Sequence, residues 1–106
     1  MREKITFQEY DGLIPVVIQE KNTGDVLMLG YMNKGALEKT IIEGYVYFWS
    51  RKRNKLWMKG KTSGNKLKVK EILLDCDGDA LLIQTKIIGN GVCHQGYKSC
   101  FKMVQM

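Results

Sequence analysis

The sequence predicts a small, mainly β domain of the α+β class: twisted strands with one clear helix. β-branched apolar runs bounded by turn residues recur along the chain, one segment carries both helix caps, and 106 residues make a single domain spanning 1–106. In order, residues 13–18 are apolar and β-branched, residues 21–25 supply turn chemistry, and residues 26–32 are apolar again, which reads as a β-hairpin. Asn33 is a good helix N-cap, Ala36, Leu37, Thr40 and Ile41 fall at helical spacing, and Gly44 fits the C-terminal stop. That defines one helix of about ten residues, close to the average length. Residues 45–49 and 55–58 read as two further strands joined by a basic segment, and residues 60–65 as a glycine and hydroxyl loop. Two longer strands, 67–74 and 80–88, complete the pattern before a loop rich in cysteine, histidine and glycine. No internal repeat, low-complexity tract or linker divides the chain.

Charge and cysteine usage narrow the function classes. The first 30 residues contain Arg2, Glu3, Lys4, Glu9, Asp11, Glu20 and Lys21, so no apolar segment of signal-peptide or membrane-spanning length is present there. A cytoplasmic location is expected, and three cysteines without a secretory signal favour thiolate chemistry or metal binding over a disulfide scaffold. The net charge is +6, and Arg51, Lys52, Arg53, Lys55, Lys59, Lys61, Lys66, Lys68 and Lys70 fall together with no acidic residue among them. A basic stretch containing Trp49 and Trp57 suits a nucleotide or nucleic acid, whereas Lys66, Lys68 and Lys70 alone fit a solvated strand face. The two tryptophans are read first as core and second as a stacking surface.

All three cysteines, the one histidine and three aspartates lie within residues 75–100. Cys76, Cys93, Cys100 and His94 are soft or borderline donors that suit zinc, and Asp75, Asp77 and Asp79 are hard donors that suit magnesium. If the 67–74 strand continues to residue 79, its period of two sets the aspartates on one face and Cys76 on the other. The alternative is a turn at Gly78. The cysteine gaps, sixteen residues and then six, match no standard zinc finger, and three protein ligands with an open position is the catalytic pattern of zinc. Buried cysteines acting as plain core are the competing reading, against which the polar, glycine-rich surroundings of Cys93 argue. His94, beside Cys93, is either a fourth ligand or an acid or base near the metal.

Several segments together carry a family resemblance. They are Gly12-Leu13-Ile14-Pro15, residues 26–33, Trp49-Ser50-Arg51-Lys52-Arg53, Leu56-Trp57, Lys59-Gly60-Lys61-Thr62-Ser63-Gly64, Asp75-Cys76-Asp77-Gly78-Asp79-Ala80 and residues 93–101. In this order they make a chain that resembles the phosphoribosyl-AMP cyclohydrolases, which open the adenine ring in histidine biosynthesis. The resemblance implies an intertwined homodimer with metal sites at the subunit interface. It implies zinc on Cys76, Cys93 and Cys100, with one contribution from the partner chain, and magnesium on Asp75, Asp77 and Asp79. Two positions depart from the family pattern: Lys61 replaces a glutamate and Gln95 a threonine. The pyrophosphohydrolase domain fused to some members is not expected.

The implied reaction is hydrolysis of the N1–C6 bond of phosphoribosyl-AMP by a zinc-activated water, with His94 as the catalytic base. The expected substrate-binding residues are Trp49, Ser50, Arg51, Arg53, Lys59, Thr62, Ser63 and Gly64, since two phosphates call for cations and hydroxyl or N–H donors. The competing class, using the same basic stretch, is a zinc-stabilised nucleic-acid-binding module. The enzyme reading expects no nucleic acid and no membrane partner.

Overall fold

The computed structural model describes residues 5–7 and 12–106. Its strands are β1 (Ile14–Glu20), β2 (Val26–Met32), β3 (Tyr47–Ser50), β4 (Lys55–Met58), β5 (Lys66–Leu74) and β6 (Leu81–Ile88), and its helix is α1 (Lys34–Glu43). The mainly β expectation with one helix is met, and each strand lies within about two residues of its expected bounds.

α1 begins and ends where its cap residues dictate. The Asn33 side chain accepts a hydrogen bond from the Ala36 N–H at 2.8 Å, and Gly44 takes the left-handed conformation with φ 79°. Ala36, Leu37 and Thr40 are buried, but Ile41, expected on the same stripe, is 46% exposed. The buried Thr40 hydroxyl donates to the Ala36 carbonyl at 2.8 Å and accepts from the Tyr47 N–H at 3.0 Å. That one side chain ties the helix to β3.

Four strands form one sheet in the order β2-β1-β6-β5, and β3 pairs with β4 in a separate antiparallel ribbon. β1 and β2 are the expected hairpin, while β1 and β6 run parallel although more than sixty residues separate them. Ile14, Val16, Ile18, Met32, Leu67, Leu81 and Ile83 bury one face of the sheet, and Val46 and Phe48 join the same cluster. The ribbon closes on the sheet because Gly30 has no side chain: a Cβ there would stand 2.5 Å from the Phe48 ring. Phe48 in turn meets Trp57 with ring centres 5.5 Å apart.

The pairing register of β5 shifts between Val69 and Glu71. Before this bulge Leu67 and Val69 face inward; beyond it Ile72 and Leu74 do, opposite Ile83 and Leu81. The opposite face of the sheet then carries an apolar row across all four strands. Leu29 pairs with Val17, Val17 with Leu82, and Leu82 with Leu73, and both ends of the row are exposed.

Candidate functional site

β5 ends at Leu74, and residues 75–79 form a turn rather than a continued strand. The Asp75 N–H donates to the Ala80 carbonyl at 2.9 Å, the Gly78 N–H to the Asp75 carbonyl at 2.8 Å, and the Asp77 N–H to Asp75 Oδ2 at 3.1 Å. Gly78 supplies the positive φ of 77° that the turn requires. The strand argument for Cys76 therefore fails. Once the chain turns, the alternation ends, and the ligand atoms of Asp75, Cys76 and Asp77 all lie within 4.8 Å of one another on exposed residues. Asp79 lies outside that group.

Cys93, His94 and Cys100 occupy the loop that follows β6. The Val92 N–H donates to the Lys98 carbonyl and the Cys93 N–H to the Tyr97 carbonyl, closing a tight turn that leaves His94 exposed at its edge. The loop is then fastened to the start of β2. Lys98 pairs with Glu20 and Asp25, the Ser99 hydroxyl donates to the Val26 carbonyl at 2.8 Å, and the Cys100 N–H to the Leu27 carbonyl at 2.7 Å. Sequence reasoning missed this fastening, because Glu20 and Asp25 lie more than seventy residues before Lys98.

The two thiols of this loop influence each other and differ in acidity. A hydrogen bond from the Gln95 backbone, helped by those from Tyr97 and Cys100 and by the Lys102 charge, outweighs burial and holds the Cys93 thiol below its ordinary range. Burial and the neighbouring Cys93 push the Cys100 thiol up, against the opposing charge of Lys59. Cys93 is only 9% exposed, contrary to what its glycine-rich surroundings led one to expect, yet it stands outside the hydrophobic cluster.

Cys76 does not meet this pair within one chain. Its turn precedes β6 and the Cys93 loop follows it, so an eight-residue strand, roughly 23 Å by strand rise, separates them.

The expected substrate-binding residues divide among three places. Trp49, Ser50 and Arg51 line a groove of about 420 Å³ beside β2, where the Arg51 guanidinium lies over the Tyr31 ring. Arg53 and Thr62 line a second groove. Lys59 stands between the hairpin and the thiols, its ammonium 5.7 Å from the Trp57 ring centre and its charge felt by Cys100. Ser50 Oγ accepts from the Arg53 N–H and Ser63 Oγ from the Asn65 N–H, so both hydroxyls shape their own turns. The Gly64 N–H is likewise spent on the Gly60 carbonyl. Tyr31 was missed as a groove residue, although its alternation with Met32 along β2 could have set it on the face away from the core.

Fold and site thus define a small β domain with thiol and carboxylate groups at opposite ends of its sheet and a basic, aromatic hairpin beside the thiols. The phosphoribosyl-AMP cyclohydrolase family model matches residues 28–102. The chain is 54% identical over 97 residues to the phosphoribosyl-AMP cyclohydrolase of Solibacter usitatus, covering 92% of this chain and 77% of that protein. With the enzyme of the same name from Clostridium botulinum strain 657 it shares 54% over 99 residues, 93% of this chain and 89% of the other. It also matches the histidine biosynthesis bifunctional protein of Photobacterium profundum, at 53% over 92% of this chain and 46% of that longer protein. This chain belongs to the phosphoribosyl-AMP cyclohydrolase family.

Proposed function

We propose that the protein is a hydrolase of histidine biosynthesis that opens the adenine ring of 1-(5-phosphoribosyl)-AMP at N1–C6. Family membership over most of the chain carries this reading. The second ribose phosphate on N1 leaves C6 electrophilic; water adds there, and the adduct collapses by breaking N1–C6, with the proton delivered to N1. The exocyclic amine is retained.

The donor set fits the implied metals. Cys93 and Cys100 present adjacent sulfurs, one held toward thiolate, and Asp75 and Asp77 present carboxylates beside the third sulfur. Zinc held by Cys76, Cys93 and Cys100 would acidify the attacking water, and magnesium on Asp75, Asp77 and Asp79 would offset phosphate charge. His94, exposed beside Cys93, would take the water's proton. Arg51 meets phosphate oxygens with its guanidinium fork, and Lys59 adds a cation between groove and thiols.

A second copy of the chain completes the thiol set. Two observations support a homodimer: Cys76 and the Cys93–Cys100 pair stand at opposite ends of β6, and the sheet presents the row Leu29, Val17, Leu82 and Leu73 outward. A two-fold partner laid on that face end to end brings Cys76 of one protomer toward Cys93 and Cys100 of the other. A cytoplasmic location suits three free thiols, and among the described residues no helix is long and apolar enough to cross a membrane.

The test is the ultraviolet absorbance change on mixing purified protein, zinc and magnesium with phosphoribosyl-AMP. Catalytic ring opening that a strong zinc chelator abolishes is expected. A folded, zinc-loaded protein that leaves the spectrum unchanged would sink the reading.

A further inference from the structure

Lys61, which stands where the family motif has a glutamate, has no part in the reaction as written. It lines the second groove, about 480 Å³ in volume, which shares only Trp57 with the groove of Arg51. Four cations from three parts of the chain converge there: Lys39 from α1, Arg53 and Lys55 from the hairpin, and Lys61 from the loop that follows. No acidic side chain lines it. Among the described residues the ion pairs involve Lys21 and Lys98, so none of these four ammonium or guanidinium groups has a carboxylate within 4 Å. Four uncompensated cations around one concavity repel one another and focus a positive potential into it.

The remaining lining decides what kind of anion fits. The Thr62 hydroxyl supplies a donor, and the Tyr47 and Trp57 rings give flat walls on which a heterocycle can lie. Lys39 sits with its ammonium 5.5 Å from the Tyr47 ring centre, which brings the helix cation to that wall. We propose that this groove is a binding site for a phosphorylated, nucleotide-like small molecule, its phosphate seated among Lys39, Arg53, Lys55 and Lys61. The phosphate comes either from the substrate itself or from a separate phosphorylated metabolite, and the same chemistry serves both.

Pyrophosphate is the probe, titrated calorimetrically into the full chain at low and at high salt. Saturable binding is expected that weakens with salt and falls roughly tenfold or more in Lys61→Glu, with a smaller loss in Lys39→Gln. Both positions are exposed, so the variants should fold. Steady-state kinetics then separate the sources. A raised KM at unchanged kcat in Lys61→Glu identifies the substrate's own phosphate, and an unchanged KM alongside lost pyrophosphate binding identifies a separate ligand. Absence of saturable binding to the wild type, or isotherms unchanged in both variants, overturns the site. The calorimetric arm requires no turnover, so its failure is distinguishable from failure of the ring-opening assignment.

Discussion

The Arg51 guanidinium lies 4.6 Å from the centre of the Tyr31 ring. β2 thereby supplies a plate that holds the tip of the β3–β4 hairpin over the first groove, where a freely rotating arginine would otherwise sweep through solvent. A cation over an aromatic face at an exposed site contributes about 0.5–1 kcal/mol, so Tyr31→Ala should raise KM about two- to fivefold at nearly constant kcat. Tyr31→Phe keeps the plate and should behave as wild type; equal losses in both variants would assign the effect to the hydroxyl.

Gly30→Ala tests the closure of the ribbon on the sheet. The added methyl would meet the Phe48 ring at 2.5 Å, and this ring is fully buried, so it has little room to yield. Overpacking of this kind costs about 1–3 kcal/mol, to be read as a lower urea midpoint at unchanged slope.

The fastening of the cysteine loop sets a pH dependence. Hydrogen bonding from Lys98 is the largest cause holding both the Glu20 and the Asp25 carboxyl below its usual range, and the same contacts raise Lys98. Depressed carboxyls stabilise the fold above their unfolded pKa, roughly 4, and that contribution is lost as pH falls through the folded values. A raised lysine stabilises below its unfolded value, about 10.4, and loses its contribution as pH rises through the folded one. The urea-midpoint gap between wild type and Lys98→Met should be flat across neutral pH and close at both extremes. A gap that persists undiminished at pH 3 would detach the effect from these ion pairs.

The proposed sharing of thiols between protomers predicts complementation. Cys76→Ala and Cys93→Ala should each lose tight zinc binding alone. Refolded together in equal amounts, half of the dimers are mixed and each holds one intact set, so roughly a quarter of wild-type zinc and activity should return. No recovery on mixing would mean that each chain builds its own site.

His94→Ala separates proton transfer from metal retention. Turnover should fall about 10²- to 10⁴-fold while zinc content persists. Wild-type-like turnover would remove His94 from the chemistry.

Local rules account for what the sequence disclosed. Asn33 and Gly44 bound the helix because each satisfies backbone groups within its own turn, and the β-branched runs declare their strands for similarly short-range reasons. The Asp75–Asp79 segment was ambiguous because acidic alternation serves a strand and a turn equally well, and only the φ of 77° at Gly78 decides it. The parallel pairing of β1 with β6, the Lys98 fastening and the meeting of Cys93 with Cys100 under Lys59 all depend on distant partners. Ile41 shows the same limit from another side, since helical spacing defines a stripe but not how wide a neighbour covers it.

The irregularity near Lys70 gives β5 a reading frame. Upstream of it odd-numbered residues face the core, downstream even-numbered ones do, and Leu73 reaches the outer row only because of that change. Deleting Lys70, the one residue of β5 that the ladder skips, would restore regular pairing and leave each later side chain on its present face, because Ile72 stays opposite Ile83 and Leu73 opposite Leu82. The bulge is thus one residue of slack: removing Ile72 or Leu73 instead would turn either Glu71 inward or Leu74 outward, so a single-residue deletion in β5 should be tolerated at Lys70 but not beyond Glu71.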